Sequence, residues 1–322
     1  MAVGDMLFTA DNLARVAADD LPTLASYDAH GILLGKGETG AQLASRVRQL
    51  AGRIAELRQE LSRDGQVDFG FTHFAAGDEI PATAFAAARA RTEELYGFSI
   101  DWVPGFYTHY RMGLLHAGCA FYSYEDYFAL FVLRRSFQTR ERWLIYSRSE
   151  LMAHELCHIA HLGLNSRSYE EVFAYQTATS FFRRWVGGVL RTPRETYLLL
   201  GTVLALLGAQ VLNLTLRPPE RWHSFPMPLL FGLAGAVIAG IVAQYLVALR
   251  RLRRAQRALG LVGAAATARA ILFRCTDEEI AALAALPPRP AAVAAWLAER
   301  QAGELRWRVT LHRFPMAPAP TA

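Results

Sequence analysis

Cysteine is scarce in this 322-residue chain, with only Cys119, Cys157 and Cys275. The three are odd in number, far apart and without C-x-x-C spacing, which argues against a disulfide framework and fits a reducing compartment. A long basic stripe is missing as well. Net charge is +5, yet the basic residues are almost all arginine and gather beside apolar runs. That points away from nucleic acid and toward lipid headgroups as the partner. The N-terminal stretch "MAVGDMLFTADNLARVAADD" has early acids and no continuous apolar region, so no cleavable signal peptide is expected. No internal repeat stands out. What the chain has in excess is apolar side chains, 52% with a mean hydropathy of +0.14, which is high for a soluble protein.

Two runs are long enough to cross a bilayer. "YLLLGTVLALLGAQVLNLTL", at 197 to 216, is uncharged and at about 1.5 Å per residue reaches about 30 Å. "FPMPLLFGLAGAVIAGIVAQYLVAL", at 225 to 249, is uncharged too, and Gly235, Ala236 and Gly240 permit close helix packing. Arg183, Arg184, Arg191 and Arg194 precede the first run, and Arg250, Arg251, Arg253, Arg254 and Arg257 follow the second. The loop "RPPERWHS" between them carries only Arg217 and Arg221. By the positive-inside rule this predicts an integral membrane protein, with a bacterial inner (cytoplasmic) membrane as the expected location and both termini cytoplasmic.

Residues 1 to 190 read as a mixed α/β soluble domain. Leu43, Val47, Leu50, Ile54, Leu57 and Leu61 recur at helical steps up to Gly65, a core-packing stripe. A second helix is expected from Pro81 to Gly97. "CAFYSYEDYFALFVLRR" and "RWLIYS" read as strands, a hairpin and its neighbour. After the second apolar run, residues 255 to 314 predict a small α/β accessory domain: a helix capped by Thr276, another in "PAAVAAWLAERQ", and a strand in "LRWRVTLHRF". Residues 315 to 322 are expected to be a disordered tail.

The chemistry concentrates in "SELMAHELCHIAHLGL", residues 149 to 164. Ser147 and Glu150 have the spacing of a capping box and Gly163 that of a helix stop, so one helix is predicted over 148 to 162. His154 and His158 then stand one turn apart on one face, where both imidazoles can meet one ion. Glu155 rotates away by one residue and is free to act on a water. This is the H-E-x-x-H pattern, and a catalytic zinc needs a third protein ligand beside an open position. His161 lies about 10 Å along the axis from His154, too far to join both other histidines on bonds of about 2 Å. The metzincin pattern fails, since it requires Gly at 161 and His at 164, where this chain has His161 and Leu164. Downstream, "NSRSYEEVFAYQTATSFF" predicts a second helix capped by Ser168, whose first turn carries Glu170 and Glu171, and one of these carboxylates can return to the metal.

These residues resemble the gluzincin class of zinc metallopeptidases, particularly the membrane-bound endopeptidases of the CAAX-protease and heat-shock-protease type. The likeness covers residues 147 to 176, where "EVFAY" from Glu171 to Tyr175 aligns with the family's E-x-x-A-D element. It implies Zn2+ as cofactor, His154, His158 and Glu171 as ligands, and Glu155 as general base. Tyr175, Tyr169 or His161 would then donate to the oxyanion. Tyr175 stands where the family has an aspartate that orients a ligand histidine, so that support must come from elsewhere. The expected fold is α+β: a gluzincin-like domain with two packed zinc-site helices and a small sheet, a two-helix transmembrane hairpin and the C-terminal domain. The expected substrate is a peptide or protein, with membrane-associated ones favoured and a strand within 117 to 135 as its docking edge. The rival reading is a non-catalytic membrane-anchored regulatory or scaffold protein that retains the fold.

"GILLGKGETGA" places Gly35, Gly37 and Gly40 in G-x-G-x-x-G spacing. The apolar run before it is short, no second β-α-β unit follows, and Lys36 lacks the Ser or Thr of a Walker A motif. It is read as a plain glycine turn.

Overall fold

The computed structural model describes residues 6–69, 72–108, 117–123, 128–144, 146–164, 166, 168–216 and 226–316. Helices dominate, joined by small sheets. After α1 (Ala10–Ala17) and α2 (Leu21–Ala29), α3 (Gly40–Asp64) begins on a capping box between Thr39 and Gln42 and stops at Gly65, whose φ of 70° is the left-handed conformation glycine adopts freely. The predicted stripe from Leu43 to Leu57 is buried along it. The second predicted helix forms as a 3-10 turn followed by α4 (Ala86–Tyr96), which also ends on a left-handed glycine, Gly97. At Gly35–Gly40 the chain turns, with Gly37 at φ 71° and no strand ahead of it.

Two short strands, β1 (Gln66–Asp68) and β2 (His73–Ala75), form a hairpin. The main sheet has the order β3-β5-β4, with β3 (Gly105–Thr108) parallel to β5 (Phe128–Arg134) and β4 (Gly118–Ser123) antiparallel to it. Because side chains alternate across a strand, β5 serves two cores. Ala129, Phe131 and Leu133 enter the main core, while Leu130 and Val132 pack with Phe74 and Phe106 in a second one. Each of the buried Leu, Val and Phe side chains among these contributes about 1.5–3 kcal/mol of transfer free energy. The predicted hairpin is thus present as β4–β5, its turn lying outside the described residues. "RWLIYS" does not extend this sheet; it folds on itself as β6 (Arg142–Trp143) and β7 (Tyr146–Ser147).

β7 leads into α6 (Arg148–His161), which packs on β4, α4 and the following α7 (Glu170–Gln176). The predicted capping box at Ser147 is not made. Glu141 of the preceding hairpin accepts from the Ser149 N–H at 3.0 Å and from the Ser147 hydroxyl, and Glu150 is drawn instead to the Thr179 N–H and the Arg183 guanidinium. A charge-assisted bond outcompetes the neutral cap. Ser168 does not cap α7 either: Tyr169 is the residue that flanks the helix start and no side chain caps it, while the Ser168 N–H donates to Asp277 at 2.9 Å.

A short helix, α8 (Phe181–Val186), precedes α9 (Pro193–Leu216) and α10 (Pro226–Leu259). The last two, over Pro193–Thr215 and Met227–Leu259, are long and apolar enough to cross a membrane, and they contain 18-residue stretches with mean hydropathies of 1.8 and 2.1 respectively. None of the apolar stretch of α9 and 17% of that of α10 is buried by the rest of the protein, far less than in a core helix. The loop joining them lies outside the described residues.

The C-terminal part departs from expectation. α11 (Ala265–Phe273), α12 (Asp277–Ala285), α13 (Pro290–Gly303) and α14 (Leu305–Arg313) are all helical, and "LRWRVTLHRF" is α14, not a strand. Its β-branched and aromatic residues suggested a strand, but tertiary packing overrides such propensity. Trp307 and Thr310 are buried one turn apart, and Arg306 and the Trp307 indole N–H both donate to Glu279. These helices are no separate accessory domain either, since one hydrophobic core runs from Leu7 to Val309. Within it the Arg274 guanidinium, 1% exposed, grips Asp28 at 2.8 Å. The apolar hairpin is therefore an insertion into one folded unit. Of the predicted tail, residues 317–322 lie outside the described residues.

Candidate metal centre

α6 and α7 bring His154, His158 and Glu171 together, with one donor atom from each lying within 4.8 Å of the others. His154 Nε2 is 3.1 Å from His158 Nε2, and Glu171 oxygens stand 3.7 Å from the first and 3.6 Å from the second. Bonds of 2.0–2.1 Å at tetrahedral angles separate zinc ligands by about 3.3 Å, so the spacing suits that ion. The histidine side chains are 12% and 11% exposed.

Their outer nitrogens are occupied. Glu170 Oε1 accepts from His158 Nδ1 at 2.6 Å, and His154 hydrogen bonds the backbone of Ala174. A histidine whose Nδ1–H is held by a carboxylate presents the Nε2 lone pair inward, the tautomer a metal requires. Glu170 thus supplies the support that the Tyr175 position lacks. The sequence showed both acids in one helical turn, where neighbours diverge by about 100°, so that each can face a different nitrogen.

The electrostatics fit a cation. Burial pushes Glu155 up to about 7, with Glu171 and Glu170 adding to the rise against the opposing pull of His158 and the Ala120 N–H. Glu171 is raised by burial and by Glu170. Burial opposes the charged form of His158, but the Glu170 hydrogen bond and the Glu155 and Glu171 charges override it and lift the ring to about 9. Burial, His158 and Arg183 hold His154 well below its usual range. Three carboxylates in one buried pocket attract whatever positive charge is at hand, and a divalent ion would satisfy them.

Glu155 is not among the converging donors. Its Oε2 accepts from the Ala120 N–H of β4 at 3.1 Å. A bond from Arg134 N–H to Ala117 C=O sets the phase of the ladder, so Ala120 turns its backbone groups away from β5. Glu155 therefore lies at the outer edge of the sheet. Nothing local in the sequence announces this contact between residues 35 positions apart.

The other candidates separate. Tyr175 stays at the centre, its ring edge-on to His154 with centroids 4.6 Å apart. Tyr169 is buried and hydrogen bonded to Arg251, and its hydroxyl is turned to the basic end of α10. His161 is not brought to the triad. Its Nε2 donates to the Phe273 carbonyl at 2.8 Å, its ring packs on Phe273, and burial lowers it to about 4, so it stays neutral. From His158 and Glu171 an open cleft of 1320 Å³ runs past Gly35 and Gln42 to Arg191 and Arg194 at the start of α9.

No protein-family model matches this chain, and no curated protein and no solved structure matches it either.

Proposed function

We propose that this chain is a membrane-anchored, zinc-dependent peptidase of the gluzincin kind, with His154, His158 and Glu171 as ligands. The observation that carries the reading is the convergence of those three donors from two helices, with Glu155 left outside the donor set and held by the Ala120 N–H through one oxygen. When bound, zinc supplies a Lewis acid that polarises a scissile carbonyl and acidifies a water. Glu155 accepts the proton of the attacking water and hands it to the leaving amine. The Ala120 N–H fixes one Glu155 oxygen and leaves the other for that exchange. Tyr175, whose ring stands beside His154, would donate to the developing oxyanion. β4, the outer strand of the sheet, offers a peptide an extended edge, and the cleft receives what lies beyond it. α9 and α10 anchor the protein, and since the chain before and after them shares one core, both parts lie on the same side of the bilayer.

The test is metal content by mass spectrometry on detergent-purified protein. About one zinc per chain is expected, lost in His154→Ala and Glu171→Ala. Glu155→Gln is expected to keep the metal and to lose hydrolysis of a peptide library. No zinc in the wild type after reconstitution, or undiminished hydrolysis by Glu155→Gln, refutes the reading.

A further inference from the structure

α8 holds large apolar side chains out of the protein. Phe181 and Phe182 are each 69% exposed, Val186 is 47% exposed and Trp185 38%. They are exposed on a fixed frame. Arg183, between them, is paired with Glu150 of α6 at 2.6 Å through side chains 13% and 10% exposed. Glu150 also takes the Thr179 N–H at 2.8 Å. The Arg183 guanidinium lies over the Tyr146 ring at 5.4 Å, and Arg253 of α10 covers one face of Trp185 at 4.9 Å. Tyr146 belongs to the β6–β7 hairpin, whose turn exposes Leu144 by 65% at φ 52°, a backbone region that favours glycine. A segment this rigid and this apolar is a contact surface, since a solvated helix of its size would bury such residues or lack them.

Its neighbours say what covers it. The chain passes from α8 through Gly187–Val189 into the apolar α9, so the patch continues the surface of a helix able to enter lipid. Arginines accompany it: Arg184 within it and Arg253 on it, with Arg250, Arg251 and Arg254 flanking Arg253 in the sequence of α10, whereas Arg183 is already paired with Glu150. Aromatic rings interleaved with arginine are the composition of a bilayer's headgroup zone, and anionic headgroups complement the charge.

We propose that α8 is a third membrane contact, an interfacial segment whose Phe181, Phe182, Trp185 and Val186 enter the headgroup layer of an anionic bilayer. Through Glu150 it clamps the start of α6 to that surface, so the candidate metal centre is held at the lipid boundary. If the peptidase reading above is right, the substrate class follows: a segment of a membrane protein close to where it leaves the bilayer. The lipid contact itself does not depend on zinc.

The test places a photoreactive p-benzoylphenylalanine at Phe182, and separately at Phe181, in the full chain reconstituted into vesicles of phosphatidylethanolamine and phosphatidylglycerol. Both sites are exposed, so the fold is undisturbed by the change. After irradiation, lipid adducts on the peptide carrying the label are expected, in equal yield in the His154→Ala background. Adducts to a second copy of the chain, or no adduct at either site, overturn the proposal. A carbonate wash of the same vesicles separates the causes: protein that stays bound without lipid adducts leaves the two spans intact and removes α8 from the membrane, whereas protein that washes off removes the spans themselves.

Discussion

Glu170 and Glu171 are adjacent in sequence and face two different nitrogens, Glu170 closing on Nδ1 of His158 at 2.6 Å while Glu171 turns its oxygens to the Nε2 atoms of both histidines. One is positioned to bind a metal and the other to hold a metal's ligand. Their substitutions should therefore differ in kind. Glu171→Ala is expected to abolish zinc binding. Glu170→Gln is expected to weaken affinity about 10- to 100-fold and still reach one zinc per chain at saturation. Competition with a fluorescent chelator distinguishes the two, and equal losses would show that the acids share one task.

Gly187 backs the ring of Tyr175 so closely that a Cβ at that position would lie 2.1 Å from it. Tyr175 in turn stands against His154. Gly187→Ala must push the ring toward the metal centre, and a loss of roughly tenfold in zinc affinity is expected, in line with displacement of groups that orient ligands. Gly201→Ala, which meets nothing within 4 Å, is the matched control and should leave affinity unchanged.

Asp28 is buried between Arg274 and Arg313. Burial alone would raise its pKa, but the two guanidinium groups override it and hold the carboxyl below its ordinary value of 3.8. A group depressed on folding stabilises the protein above its unfolded pKa, and that contribution fades as pH falls through the folded value. The wild type should lose this contribution on acidification below about pH 4. Asp28→Asn leaves Arg274 buried without its counter-charge, which costs about 3–5 kcal/mol near neutrality. The gap between the two melting curves should narrow in acid; a gap that is constant with pH would contradict the assignment.

A single core on either side of the apolar hairpin has a consequence for accessibility. Cysteines placed at the exposed positions Gln59 and Gln301, in a Cys119→Ser background, should react alike with a membrane-impermeant maleimide in intact cells, either both shielded or both labelled. A cysteine at Ser224, between the spans, should give the opposite pattern. Unlike behaviour of Gln59→Cys and Gln301→Cys is incompatible with the shared core.

Where the sequence was readable, one local rule sufficed. The α3 stripe, the glycine stops at Gly65 and Gly97, the H-E-x-x-H helix and the two apolar runs each depend on periodicity, capping or length within one segment. Where it was not, the deciding partner was distant. α14 is helical because Glu279 and the core receive Arg306 and Trp307. Ser147 lost its capping role to Glu141, and the loop at Ser168 is held by Asp277 through the Ser168 N–H. His161 resembled a functional histidine until Phe273, 112 residues later, supplied its acceptor. At the candidate centre the two histidines and Glu171 were legible, whereas the bond from Glu170 and the seat of Glu155 on β4 were set by folding.

The bond between Asp28 and Arg274 spans 246 residues, with the whole apolar hairpin between its ends. At about 5–20 residues per second, a ribosome needs roughly 12–50 s to deliver the second partner after the first. During that interval α9 and α10 emerge while the N-terminal half still lacks the helices that complete its core. Ser166, in the loop between the two site helices, is bonded to Asp277, and His161 to Phe273, so the site's own scaffold also waits for the last part of the chain. Order of synthesis thus sets the order of assembly: the candidate site gains its full support only after the apolar hairpin has been made.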